Sequence, residues 1–207
     1  MSAKRVVFIG DSITDAGRRT DPEELGNGYV QLVRDCLVTS YPDQDWEIFN
    51  RGVGGDRIVD LQERWQDDVI DLKPDVLSVS IGINEVWRQI DEPNMEQVYA
   101  ADYERIYEEL LLRVKEETDA KIVLMEPTVI EEDPFAGGNE KLKGYVEAVQ
   151  RLAEKFDAIL VPTHEAFLQY LNANNHEKLT TDGVHMNRLG NMLMASTWLK
   201  TAREKIV

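Results

Sequence analysis

The 207 residues include 23 basic and 39 acidic side chains, a formal net charge of −16, so the surface repels phosphate backbones and anionic headgroups and nucleic acid is excluded as a partner. With 43% hydrophobic and 30% charged residues, the chain is neither fibrous nor disordered. Its length suits one domain, residues 1–207, able to bury a core without disulfides or metal. Cys36 is the sole cysteine, which excludes an intrachain disulfide; placed between Val33 and Leu37 on a predicted helix, it reads as a packed core thiol. After Lys4 and Arg5 come only four apolar residues, Val6 to Ile9, too few for a signal-peptide core or a membrane span. A cytoplasmic protein with no membrane attachment is therefore expected.

Short apolar runs at Val6 to Ile9, Trp46 to Phe49, Val76 to Ile81, Ile122 to Met125 and Ile159 to Val161 predict five buried strands, each brief, β-branched or aromatic, and closed by Gly, Asn or Pro. Between them apolar residues recur at helical spacing: Tyr29, Leu32, Val33, Cys36; Ile58, Leu61, Trp65, Val69, Leu72; Tyr103, Ile106, Leu110, Val114; Leu142, Val146, Val149, Leu152, Phe156; and Leu189, Leu193, Ser196, Leu199. Strand and helix alternate, which predicts a doubly wound α/β fold with a parallel sheet covered on both faces. Two longer loops, Val86 to Gln97 and Pro127 to Asn139, follow strand C-termini, the edge where such sheets bind ligands, and are candidate pocket walls.

The first predicted strand runs into Gly10-Asp11-Ser12-Ile13-Thr14, a tight turn that sets a serine hydroxyl at that edge. Alone, such a serine reads as a cap or turn residue. Near the other end, Thr181-Asp182-Gly183-Val184-His185 places an acid and a histidine three positions apart. The carboxylate can hold one imidazole nitrogen while the other accepts a proton from Ser12, the division of labour a serine nucleophile needs. Asn50-Arg51-Gly52-Val53-Gly54-Gly55-Asp56 and Gly82-Ile83-Asn84-Glu85 follow the second and third predicted strands. The Gly55 amide and the Asn84 side chain, with the Ser12 amide, supply three donors for an oxyanion.

These four blocks, GDSIT, NRGVGGD, GIN and DGVH, resemble those of the GDSL/SGNH hydrolase family, in the family's order and across residues 10 to 185. The resemblance implies a flavodoxin-like three-layer αβα fold with five parallel strands. It implies Ser12 as nucleophile, His185 as base, Asp182 as its partner, an oxyanion hole of Ser12, Gly55 and Asn84, and no metal or organic cofactor. The sequence departs from the pattern at Glu85, where aspartate is usual, which bears on substrate preference more than on catalysis.

GDSITDAGR, GNGYV, GVGGDRIVDLQERWQDDVIDLKPD and GINEVWRQ are similar to a subgroup of bacterial carbohydrate acetylesterases that includes intracellular acetylxylan esterases, often oligomeric. This implies a serine esterase removing acetyl groups from a small-molecule or oligosaccharide ester such as acetylated xylo-oligosaccharide, and a homo-oligomer. Asp11, Glu85, Trp87 and Arg88 are candidate substrate contacts. Trp87 either stacks on a sugar or packs under its loop, and Arg88 either meets a hydroxyl or pairs with a surface acid. GVGGD lacks the dinucleotide-binding spacing. His164 and His176 form no metal-ligand spacing with His185. Tyr103, Tyr107 and Tyr145 read as core or subunit contact. Two other readings stand: the same machinery turned on lipid or thioesters, separable by acyl-chain preference, and a non-catalytic flavodoxin-like binding module, separable by fluorophosphonate labelling of Ser12.

Overall fold

The computed structural model describes residues 3–173 and 177–207; His176 lies outside them. The chain runs β1 (Lys4–Gly10), α1 (Ser12–Asp15), α2 (Tyr29–Ser40), β2 (Trp46–Gly52), α3 (Ile58–Trp65), β3 (Val76–Ser80), α4 (Ile83–Asp91), α5 (Ala100–Glu117), β4 (Lys121–Met125), α6 (Gly137–Lys155), β5 (Ile159–Val161), α7 (Thr163–Leu171) and α8 (Arg188–Ile206). The five predicted strands form one all-parallel sheet in the order β2-β1-β3-β4-β5. Helices α2 and α8 pack together on one side, and α3, α5 and α6 on the other, which gives the expected three layers.

Register is what turns this architecture into a site. Gly10 lies opposite Gly52 and Ser80, Ser80 opposite Met125, and Met125 opposite Val161. All five strands therefore end in one row, and the loops that follow them emerge along one rim. The strand order reverses between β1 and β3, so their loops diverge and open a crevice there. Ser12 follows β1 and Asn84 follows β3.

The last helix is seated by an aromatic anchor. Trp198 is fully buried, its indole N–H donates to Ser78 Oγ on β3 at 3.0 Å, and its ring stands 5.4 Å from that of Phe8 on β1. Phe8 in turn meets Tyr29 of α2 edge-on at 6.0 Å. At the start of α8 the Asn187 side chain accepts from the Leu189 and Gly190 amides at 2.8 and 3.1 Å. A Cβ on Gly190 would stand 2.2 Å from the Leu179 carbonyl, so only glycine lets α8 close on the segment that leads to His185.

Three local expectations are corrected, and one helix is added. The inner face of α8 is Met194, Ala195, Trp198, Ala202 and Ile206, while Leu189, Leu193 and Leu199 pack only at its margin and Ser196 is exposed. Small alanines beside one large tryptophan allow close approach to the sheet, which a search for large aliphatic residues passes over. Cys36 is half-buried with its thiol toward Ser40, because the core side of α2 is Tyr29, Val30, Val33 and Leu37. The expected loop Val86 to Gln97 is helical as far as Asp91; its run of polar residues is the outer face of an amphipathic helix. Helix α7 was not anticipated, although Thr163, His164, Phe167 and Leu171 line its buried side. Tyr103, Tyr107 and Tyr145 belong to the core, with Tyr103 edge-on to both others at 5.5 and 5.2 Å.

Helix α6 packs on the sheet through residues remote from the rim, among them Leu152, which is 1% exposed. Replacing Leu152 by Ala should cost about 2–5 kcal/mol, read as a lower denaturant midpoint, without loss of activity per folded molecule.

Candidate active site

The turn after β1 is built on hydrogen bonds to backbone. Asp11 caps α1, its Oδ1 accepting from the Ile13 amide at 2.9 Å, and leaves Ser12 half-buried at the first helical position. Thr14 Oγ1 meets the Tyr29 hydroxyl at 3.1 Å. From β2, buried Asn50 donates to the Thr14 and Leu25 carbonyls at 2.6 and 2.7 Å and accepts from Gly52 N at 2.9 Å. One amide thus ties the serine turn to the neighbouring strand.

The loop before α8 brings the histidine to this turn. Thr180 and Met186 form an antiparallel bridge, and Thr181 N donates to the His185 carbonyl at 2.8 Å. Inside the loop, Asp182 Oδ1 accepts from the Val184 and His185 amides at 3.0 and 2.8 Å. Asp182 Oδ2 lies 2.7 Å from His185 Nδ1. A carboxylate only accepts, so Nδ1 carries the proton and Nε2 is left as an acceptor. Nε2 stands 3.0 Å from Ser12 Oγ. The three side chains are lined up within hydrogen-bond reach, across 173 positions of sequence from Ser12 to His185. Burial opposes ionisation of Asp182, yet the hydrogen bonds from the His185 ring and the two loop amides lower its pKa below the ordinary value.

The Pro127 to Asn139 loop supports that histidine loop from behind. Glu132 Oε1 accepts from the Leu179 and Thr180 amides at 3.0 and 2.7 Å and from the Thr180 hydroxyl. Glu131 N donates to the Gly183 carbonyl at 2.8 Å. Sequence reasoning missed Glu132, since one acid in an acidic chain carries no local signal.

The proposed oxyanion donors other than Ser12 stand in the loop after β2 and in the first turn of α4. Gly55 has φ +88°, the left-handed region, and a Cβ on Gly54 would stand 3.9 Å from Ser12 Cβ, so the loop after β2 borders the serine. Among the described residues, neither the Ser12 nor the Gly55 amide donates to a backbone acceptor. Asn84, 5% exposed, gives one amide N–H to the Asp56 carbonyl at 2.9 Å, which locks the side chain beside that loop. Next to Ser12 and His185 lies a cavity of about 120 Å³ that Ile13, Ala16, Met186 and Asn191 complete. Among the described residues no group of three or more His, Cys, Asp or Glu is disposed to hold a metal ion, and no helix is long and apolar enough to cross a membrane. His164 is buried, its Nδ1 bonded to the Thr128 carbonyl at 2.5 Å.

Residues 8–193 match the GDSL-like lipase/acylhydrolase family. The chain belongs to that family. As a GDSL-like acylhydrolase it is a carboxylic-ester hydrolase. It is 37% identical over 206 residues to a curated acetylxylan esterase of Geobacillus stearothermophilus, with 96% of this chain and 94% of the relative covered. A crystal structure of the acetylxylan esterase from that organism superposes with a TM-score of 0.88 at 37% identity, covering 96% and 94% of the two chains. A catalytic mutant of it with alanine in place of a histidine gives 0.90 at 36% identity, covering 97% and 94%. Further catalytic mutants of the same esterase replace an aspartate or a serine by alanine.

Of the four candidate substrate contacts in this acylhydrolase, two are turned inward. Asp11 is 2% and Glu85 0% exposed, so neither offers a surface to a ligand. Glu85 Oε1 accepts from the Ile58 amide at 2.6 Å, fixing the start of α3. Trp87 packs partly buried against the core. Arg88 pairs with Asp91 and Glu92 on its own helix at 2.8 and 3.2 Å, and its Nη2 stands 3.7 Å from where a Cβ of Gly55 would be.

Burial pushes the Asp11 carboxyl up to about 7 and the Glu85 carboxyl up to about 8. For Glu85 the Ile58 amide, its own backbone amide and the Arg57 charge offset burial only in part, and Oε2 has no hydrogen-bond partner among the described residues. The folded chain thus holds a proton on Glu85 that the unfolded chain releases near 4.5. Its contribution to stability is complete below about 4.5 and is lost as pH rises through about 8. Glu85→Gln, which keeps the acceptor for Ile58, should flatten the decline of Tm between pH 5 and 8, followed by circular dichroism; an unchanged slope would contradict a neutral Glu85.

Proposed function

We propose that this chain is a serine esterase that removes acetyl groups from carbohydrate hydroxyls, with acetylated xylo-oligosaccharides as the substrate class. The reading rests above all on one observation, the 3.0 Å contact of Ser12 Oγ with His185 Nε2 while Asp182 holds Nδ1 at 2.7 Å. The similarity to the Geobacillus stearothermophilus acetylxylan esterase supplies the substrate class. The small cavity beside the serine suits a short acyl group.

In this reading Ser12 Oγ attacks the ester carbonyl as neutral His185 takes its proton. The charge that develops on the carbonyl oxygen is met by the Ser12 and Gly55 amides and the remaining N–H of Asn84. The imidazolium, held by the Asp182 carboxylate, then returns its proton to the departing sugar oxygen, leaving acetyl on Ser12. In the second half, water gives a proton to His185 and attacks that acyl group; the intermediate collapses as His185 returns the proton to Ser12 Oγ, and acetate leaves. Arg88, anchored by Asp91 and Glu92 beside Gly55, is the proposed contact for a sugar hydroxyl. Trp87, partly buried against the core, is not part of the proposed sugar contact. A cytoplasmic location and a homo-oligomeric assembly belong to the proposal, both resting on the resemblance to the acetylesterase subgroup, which includes intracellular and often oligomeric members.

Ser12→Ala should lower kcat roughly 10⁴-fold or more and Asn84→Ala about 10²- to 10³-fold, the scale of a triad nucleophile and one oxyanion donor. Hydrolysis of p-nitrophenyl esters of increasing length checks the acyl group: activity should fall steeply beyond acetyl, and a preference for long chains would favour a lipolytic enzyme. Deacetylation of acetylated xylo-oligosaccharides, with Ser12→Ala as blank, tests the alcohol. Failure of a fluorophosphonate to label folded protein at Ser12 would support the non-catalytic binding module instead.

A further inference from the structure

Arg64 of α3 makes more polar contacts with the rim than its place on a helix requires. Its Nε donates to Asp56 Oδ2 at 2.8 Å, its Nη1 to the Arg51 carbonyl at 2.8 Å and to Asp68 Oδ2 at 2.6 Å, and its Nη2 to the Gly10 carbonyl at 3.1 Å. Gly10 stands two positions before Ser12, and Asp56 directly follows Gly55. The Asp56 carbonyl also holds the Asn84 side chain at 2.9 Å. One guanidinium, 19% exposed along its side chain, is therefore bonded to the serine turn and to the loop of Gly55, and reaches Asn84 through Asp56. A comparison within the fold is Arg5, whose bonds to the Leu72 carbonyl and to Glu47 lie at the start of β1, the opposite end of the sheet.

We infer that Arg64 is a positioning residue that sets the spacing between the Ser12 turn and the Gly55–Asn84 side of the oxyanion site. The inference rests on the donor roles proposed for Ser12, Gly55 and Asn84. The two loops belong to different strands; the Val53 amide on the Gly10 carbonyl at 3.0 Å, Asn50 on the Thr14 carbonyl at 2.6 Å and Arg18 on the Gly52 carbonyl at 2.7 Å join the end of β2 to the serine turn, and among the described residues the guanidinium adds the bridge from the Gly10 carbonyl to Asp56, the residue next to Gly55. Its planar fork dictates both distance and angle, because donors in one rigid plane meet a carbonyl on one loop and a carboxylate on the other. Lysine offers donors from a single point and cannot reproduce that spacing. A displacement of the donors by about 1 Å is felt mainly in the transition state, where charge reaches the oxygen, and costs on the order of 100-fold.

The test compares Arg64→Lys, Arg64→Gln and Asp56→Asn with the parent and with Leu152→Ala, the core variant that controls for lost stability. Each is assayed on p-nitrophenyl acetate well below its Tm. Both Arg64 variants should lose about 10- to 100-fold in kcat with KM within about threefold, and the rate of fluorophosphonate labelling at Ser12 should fall in step. Asp56→Asn, which weakens only one arm of the bridge, should lose less. The pH midpoint of activity should stay where it is, since Arg64 touches neither Asp182 nor His185. The inference is overturned if the folded Arg64 variants keep kcat within about twofold of the parent, if KM alone rises, or if lysine restores kcat, which would make charge rather than spacing the cause. If Arg64→Gln does not fold, Arg64→Lys and Asp56→Asn carry the same test. An inactive parent would sink the proposed function instead, and an active parent with active Arg64 variants would sink this inference alone.

Discussion

A hydroxyl near the beginning of the chain and an imidazole 173 residues later share a 3.0 Å contact, and the fold must hold that distance against the motion of two loops. Neither loop is rigid by itself. The serine turn is a single helical turn, too short to be stable in isolation, and the histidine sits in a connection between Leu179 and Arg188. Each is made rigid by elements behind it: Asn50 and Asp11 under Ser12, Glu132 and the α8 cap under His185. Because Trp198 anchors α8 on β3 and Phe8, the sheet becomes the common reference for both halves.

Acidic side chains do much of this holding. The formal charge of −16 reads at first as surface solvation, and for residues such as Glu104 and Glu140, paired with Arg151 and Lys143 on exposed helices, it is little more. Asp11, Glu85, Glu132 and Asp182 act differently, since each accepts backbone amides at a loop or helix start where the ladder of secondary structure supplies no partner. The buried pair pays in ionisation: with few compensating donors, Asp11 and Glu85 retain protons far above the ordinary carboxylate range. Asp182, exposed at 53% of its side chain and bonded to a ring N–H and two amides, is held in the ionised form. The same residue type is thus set to opposite protonation states by burial and donor count.

Much of the layout was legible from the chain. Periodicity and strand-closing residues located all five strands and, through their alternation with helices, the parallel sheet, because a buried strand and an amphipathic helix impose different spacings on apolar residues. The four blocks placed Ser12, Gly55 and Asn84 just after strands and Asp182 and His185 before the last helix, since each depends on local features, a glycine turn or an acid three positions from a histidine. Misses arose where the local pattern was ambiguous. The polar face of α4 looked like a loop, α7 was too short to stand out, and the aliphatic stripe of α8 proved marginal to a face of alanines and one tryptophan.

Local sequence, then, determined which residues stand at the strand ends and what chemistry they bring, because turn residues and side-chain types act within a few positions. Tertiary structure alone decided which of them meet. The in-register ends of β1, β2 and β3, the seating of α8 through Trp198, and the long-range bonds of Arg64, Asn50 and Glu132 join residues far apart along the chain, and only packing in three dimensions sets such distances. For the same reason Asp11 and Glu85, candidate substrate contacts in the sequence, are buried in the fold: burial is a property of what surrounds a residue, not of its neighbours in the chain.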